Sequence, residues 1–135
     1  MSRQFALQLF CGEECLVKME SFEMIMLIDF YGQLLTENQL ACLDMYYNDD
    51  MSYAEIADEL DISRQGVFDF VKRGRMALEE YEEKLGLVKR FIETKEQIAA
   101  VQSDLKKIDG SRLSSEDSEL LHNITETLDG ISSGL

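Results

Sequence analysis

Five side chains in one short stretch could handle phosphates and base edges. Arg64, Lys72, Arg73 and Arg75 fall within twelve residues, and Gln65 sits beside the first of them. Guanidinium and ammonium groups neutralise phosphates. Arginine and glutamine also present donors that base edges accept. From Ser63 to Arg75 the four cations face only Asp69, a local charge of +3. Phe68 and Met76 lie among them, apolar groups beside charges and candidates for contact with a protein partner. The stretch just before has the opposite chemistry. Ser52 to Ile62 carries Glu55, Asp58, Glu59 and Asp61, a local charge of −4.

The local pattern says how these groups are held. "SYAEIADELDISRQGVFDFVKRGR" (Ser52–Arg75) has the rhythm of a helix-turn-helix. Ser52 and Glu55 form a capping-box pattern that starts a short helix with Ile56, Ala57 and Leu60 inward. "LDIS" is a tight turn, and Ser63 can cap the next helix. On that helix Val67, Phe70, Val71, Gly74, Leu78 and Tyr81 share one face at ~100° per residue. Gly74 on that face would admit another helix closely. Gln65, Asp69, Lys72 and Met76 point away. Phe68 and Arg75 lie on one flank and Arg73 on the other. In a helix-turn-helix the first helix crosses the phosphate backbone, so four acids there oppose a duplex. An alternative role for Arg64, Arg73 and Arg75 is ion pairing with nearby acids.

Upstream, "SFEMIMLIDFYGQLL" reads as a helix capped by Ser21 and apolar over much of its circumference, hence central. "TENQLACLDMYYN" reads as a second helix, with a Thr36–Gln39 capping box and Leu40, Leu43 and Tyr47 on one face.

The bulk numbers narrow the class. The chain has 135 residues, no proline, 45% hydrophobic residues and a net charge of −14. So few breakers with so many apolar groups predict an all-α protein. The charge is uneven: Met19 to Ser63 holds eleven acids and no base. Such a face opposes nonspecific nucleic-acid or anionic-lipid binding and suits a basic protein surface. No apolar run approaches the ~20 residues of a membrane span, so a cytoplasmic location is expected. Cys11, Cys15 and Cys42 are too few and too loosely spaced for a disulfide framework or zinc site. Cys42 reads as a small core residue.

Three segments carry a family resemblance: "LIDFYGQLLTENQ", "SYAEIADELDISRQGVFD" and "YEEKLGLVKRF". Glu37 to Leu78 resembles region 4 of sigma factors. The three segments together, across Phe22 to Ile98, resemble the YlxM family, small bacterial proteins encoded beside the signal recognition particle GTPase. The resemblance implies a sigma region 4-like helix-turn-helix bundle with a helical arm. It also implies a regulatory role in the signal recognition particle pathway, with that GTPase or its RNA as partner. A DNA-binding regulator is the alternative. Phe68 and Asp69 stand where sigma-like readers carry polar or basic side chains.

The expected organisation is a helix-turn-helix domain over 19–80, a long helical arm over 81–109 and a C-terminal helix with frayed tail over 110–135. From Arg75 the helical pattern continues to about Ile108. Leu78, Tyr81, Leu85 and Val88, then Phe91, Thr94, Ile98, Val101, Leu105 and Ile108, form a heptad-like stripe. Leu120, Leu121, Ile124, Leu128 and Ile131 form another, so an antiparallel hairpin is expected. The tail is only about half as long as the arm. Phe91, Ile98 and Val101 are therefore candidate contacts of a homodimer.

Residues 1–18 are expected to be either translated leader sequence or an extension packing Phe5, Leu7, Leu9 and Phe10. Gly12-Glu13-Glu14 implies a purine-rich codon string ahead of Met19. A signal peptide fits poorly, because the apolar run is short and broken by Gln8.

Catalysis is not indicated. There is no phosphate loop of the GxxxxGK[ST] type, and His122 is the only histidine. "EEYEEK" reads as a solvated face with Glu80 and Lys84 paired at i, i+4. No cofactor and no metal are expected.

Overall fold

A computed structural model describes residues 13–135, with side chains from Glu20 onward. The expected leader or extension therefore lies largely outside the described residues, as do Phe5, Leu7, Leu9 and Phe10. The described chain is all-α, with six helices: α1 (Glu13–Tyr31), α2 (Glu37–Tyr47), α3 (Tyr53–Leu60), α4 (Arg64–Leu85), α5 (Leu87–Lys106) and α6 (Ser115–Gly134). It divides into two compact units, one ending at Gly86 and one starting at Leu87.

The first unit is the helix-turn-helix. Its core is built from Met24, Leu27, Ile28 and Tyr31 of α1, Cys42 and Leu43 of α2, Ile56 and Ala57 of α3, and Val67, Val71 and Leu78 of α4. Gly74 makes the closest approach possible. A Cβ there would meet Leu43 Cδ1 at 2.6 Å. Tyr31 anchors α1, its hydroxyl donating to Glu82 Oε2 at 2.6 Å. Both capping boxes form, Thr36 with Gln39 and Ser52 with Glu55. Asp61 ends α3 in the left-handed region at φ 54°, a conformation that aspartate tolerates better than most side chains. Ser63 then caps α4 by accepting the Gly66 N–H at 2.9 Å.

Three boundaries differ from the sequence expectation. Helix α1 runs through Ser21 instead of starting there, because nothing between Glu13 and Ser21 breaks a helix. It is also less enclosed than expected, since Phe22 is 62% exposed. The arm is not one helix. Gly86 takes φ 61°, closes α4 as its left-handed cap, and α5 begins one residue later. The stretch "DGISSGL", expected as a frayed end, lies within α6 as far as Gly134.

The second unit is a hairpin of α5 and α6, each 20 residues long, so the tail helix matches the helix it covers. Ser114 caps α6 by accepting the Asp117 N–H. Gln102 of α5 donates to Asp129 of α6 at 2.6 Å. Phe91, Ile98 and Leu105 are half-buried on α5, and Leu121 and Leu128 are half-buried on α6. Leu120, Ile124 and Ile131, expected on the covered stripe, stay exposed, as does Val101. Of the candidate homodimer contacts, Phe91 and Ile98 are thus half-buried and Val101 is 46% exposed.

Candidate nucleic-acid interface

The turn and the Ser63 cap fix the start of α4, and its buried face sets its rotation. Arg64, Gln65, Lys72, Arg73 and Met76 are therefore exposed, and Arg75 is half-buried. Phe68 is 43% exposed. The structure gathers Phe68, Lys72, Arg75 and Met76 around a shallow groove of about 320 Å³ that Tyr53 and Val71 complete, with Glu79 at one end. Arg73 lies elsewhere, beside Ala77 and Glu80. Arg64 and Gln65 lie outside the groove, one turn N-terminal of Phe68.

The ion pairs considered for Arg64, Arg73 and Arg75 do not form among the described residues, and Lys72 has none either. Asp69, the one acid within the cluster, accepts from the Gln65 amide at 3.3 Å. By contrast, Lys84 pairs with Glu80 at 2.7 Å, as the i, i+4 spacing predicts.

The sequence reading missed the aromatic wall. The rings of Tyr46 and Tyr47 meet edge-on at 4.9 Å, Tyr46 and Tyr53 at 5.0 Å, and Tyr53 and Phe68 edge-on at 6.1 Å. Burial raises the pKa of the Tyr53 and Tyr47 phenols, and the Arg75 charge opposes that rise at both. Arg75 is thus electrically coupled to the wall. Tyr46, Tyr47 and Tyr53 come from the end of one helix and the start of the next. No single periodicity links them, so only their exposure to a common flank could have signalled the cluster. At the start of α3, the Ser52 backbone N–H holds the Glu55 carboxyl below its ordinary value.

The family model "UPF0122: Putative helix-turn-helix protein, YlxM / p13 like" matches residues 18–119. The chain belongs to this family. A UPF0122 protein of Acetivibrio thermocellus is 48% identical over 110 residues, covering 82% of this chain and 94% of that protein. One from Halalkalibacterium halodurans is 41% identical over 110 residues, covering 82% and 97%. One from Thermoanaerobacter sp. is 46% identical over 103 residues, covering 76% and 86%. The UPF0122 match takes in the whole helix-turn-helix and α5 but only the first turn of α6. No helix among the described residues is long and apolar enough to cross a membrane.

Proposed function

We propose that this UPF0122 protein is a non-enzymatic regulatory module of the signal recognition particle pathway, and that the flank of α4 binds the particle's RNA. The observation that carries the reading is the flank itself. Lys72 and Arg75 are cations without carboxylate partners among the described residues, set beside the rings of Phe68 and Tyr53. Cations for the backbone and aromatic faces for bases suit irregular RNA. Duplex DNA is the second reading, favoured by the helix-turn-helix itself. The exposed acids Asp58, Glu59 and Asp61 on and after α3 oppose it, because that helix would cross the phosphates. The exposed acids Glu37, Asp44, Asp58 and Glu59 suit a basic surface of the particle's GTPase as a further partner.

Anisotropy titrations at ~150 mM salt compare the particle's RNA with a duplex DNA of equal length. RNA is expected to bind more tightly, with a slope of log K against log salt of roughly −1.4 to −1.8, matching the two contacts of Lys72 and Arg75. Tight, sequence-dependent binding of the duplex would transfer the function to DNA. An affinity pull-down from native lysate, with and without nuclease, separates RNA-borne from direct recovery of the GTPase.

A second copy of the chain completes this reading. Phe91 and Ile98 are half-buried, and the most exposed apolar groups of the hairpin include Val101, Leu120, Ile124 and Ile131, each between 46% and 59% exposed. Such a row of apolar groups favours cover by another surface. Light scattering at tens of micromolar is expected to return twice the chain mass, and Leu120→Glu with Ile124→Glu to return the monomer. A monomer mass for the unmodified protein would remove the dimer.

A further inference from the structure

We propose that the groove lined by Phe68 and Tyr53 takes one unpaired RNA base, stacked on the open face of the Phe68 ring, with Lys72 and Arg75 on the flanking phosphates. This rests on the reading of α4 as an RNA-binding flank and names the RNA element it selects.

Three observations lead there. First, the outward edge of α4 is poorly equipped to read a duplex. Gln65, its one neutral base-edge donor, is spent on Asp69 at 3.3 Å. Asp69 itself repels phosphate. Second, Phe68 leaves 43% of its surface in water although an inward-facing face lies on the same helix. Its ring meets Tyr53 at an interplanar angle of 74°. An edge-on neighbour fixes a ring without covering both of its faces, so stacking area remains. Third, the wall is braced before any ligand arrives. Tyr46 lies 5.0 Å from Tyr53 and 4.9 Å from Tyr47, and Val71 is buried to 2% exposure beneath. A rigid ring loses little freedom on binding. Every base has a flat face that such a ring accepts, and single-stranded loops and bulges are where RNA offers bases unstacked.

A duplex keeps its bases stacked internally and cannot supply one. The cations would still attract its phosphates. Stacking therefore separates paired from unpaired RNA, whereas charge alone does not.

The test uses the full chain and a labelled RNA of about twelve nucleotides, offered as a single strand and as a blunt duplex. At ~150 mM salt the single strand is expected to bind at least about tenfold more tightly. Phe68→Leu should lower single-strand affinity about tenfold and leave duplex affinity unchanged. Lys72→Gln with Arg75→Gln should weaken both forms alike and flatten the salt dependence. The chain has no tryptophan, so Phe68→Trp installs a lone reporter. It should retain affinity, and its emission should be quenched by the single strand and not by the duplex. Unchanged single-strand binding by Phe68→Leu, or an indole insensitive to the single strand, would overturn stacking while leaving RNA binding intact. No binding of either RNA would overturn the RNA reading itself.

Discussion

The helix-turn-helix unit and the hairpin unit both consist of amphipathic helices with good caps, yet they bury different things. Among the described residues, every buried apolar side chain except Val88 belongs to the first unit. Helix α6 buries none. In the first unit three helices surround α4, so its inward face is enclosed and rejects water. In the second, two helices share a single seam in which Thr94, Gln102, Thr125 and Ser132 alternate with the apolar groups. Two helices can cover only one stripe of each other, and the outer flanks remain wet. A hydrophobic pattern therefore predicts a helix in both units but a dry core only where more than two elements converge.

A charge in each unit gives the largest contrast. Val71→Asp places an unpaired carboxylate where only 2% of the side chain meets water, and is expected to cost about 4 kcal/mol or more. Leu128→Asp enters a half-exposed seam and is expected to cost about 1–2 kcal/mol, with loss confined to α5 and α6. Thermal melts followed by circular dichroism check both. Equal losses would make the units one cooperative structure.

The glycines offer a contrast of sign. Gly74→Ala forces a Cβ to 2.6 Å from Leu43, and overpacking of ~1–3 kcal/mol outweighs the helix-propensity gain of ~1 kcal/mol. Gly130→Ala on α6 meets nothing within 4 Å, so only the gain remains, up to ~1 kcal/mol of stabilisation. Denaturant midpoints should move in opposite directions. A stabilised Gly74→Ala variant would show that Leu43 yields easily and that the first core is looser than described.

How much of this was legible in sequence follows from the same contrast. The α4 face, the Gly74 approach and three of the caps could be read because each rests on local spacing. Gly86 was passed over as a helix end because the apolar stripe runs on across it, and periodicity does not register a single left-handed residue. The inward row of α6 was misassigned since Leu120, Leu121 and Ile124 are equally apolar, and only the position of α5 selects among them. The cations of the candidate site were found by type. The aromatic wall was not, because Tyr46, Tyr47 and Tyr53 come together across a turn.

The smallest expected effect is at the α3 cap. Ser52→Ala should cost ~1 kcal/mol. The Glu55 carboxyl is held low in the folded state by the Ser52 N–H. Its contribution is therefore present above its unfolded pKa and lost as pH falls through the lower folded value. Glu55→Gln, which removes the titrating carboxyl, should abolish that acid dependence. A variant with the unmodified acid limb in its pH–stability curve would show that the box contributes nothing measurable.

Hydrogen exchange on the full chain, with and without the particle's RNA, tests the central claim most directly. Free, amides of α2 and α4 should open only with global unfolding, and those of α5 and α6 by cheaper local opening. With RNA, new protection is expected around Tyr53 and from Arg64 to Met76. Protection confined to the acidic surface of α2 and α3, or to the hairpin, would contradict the assignment of function to the α4 flank.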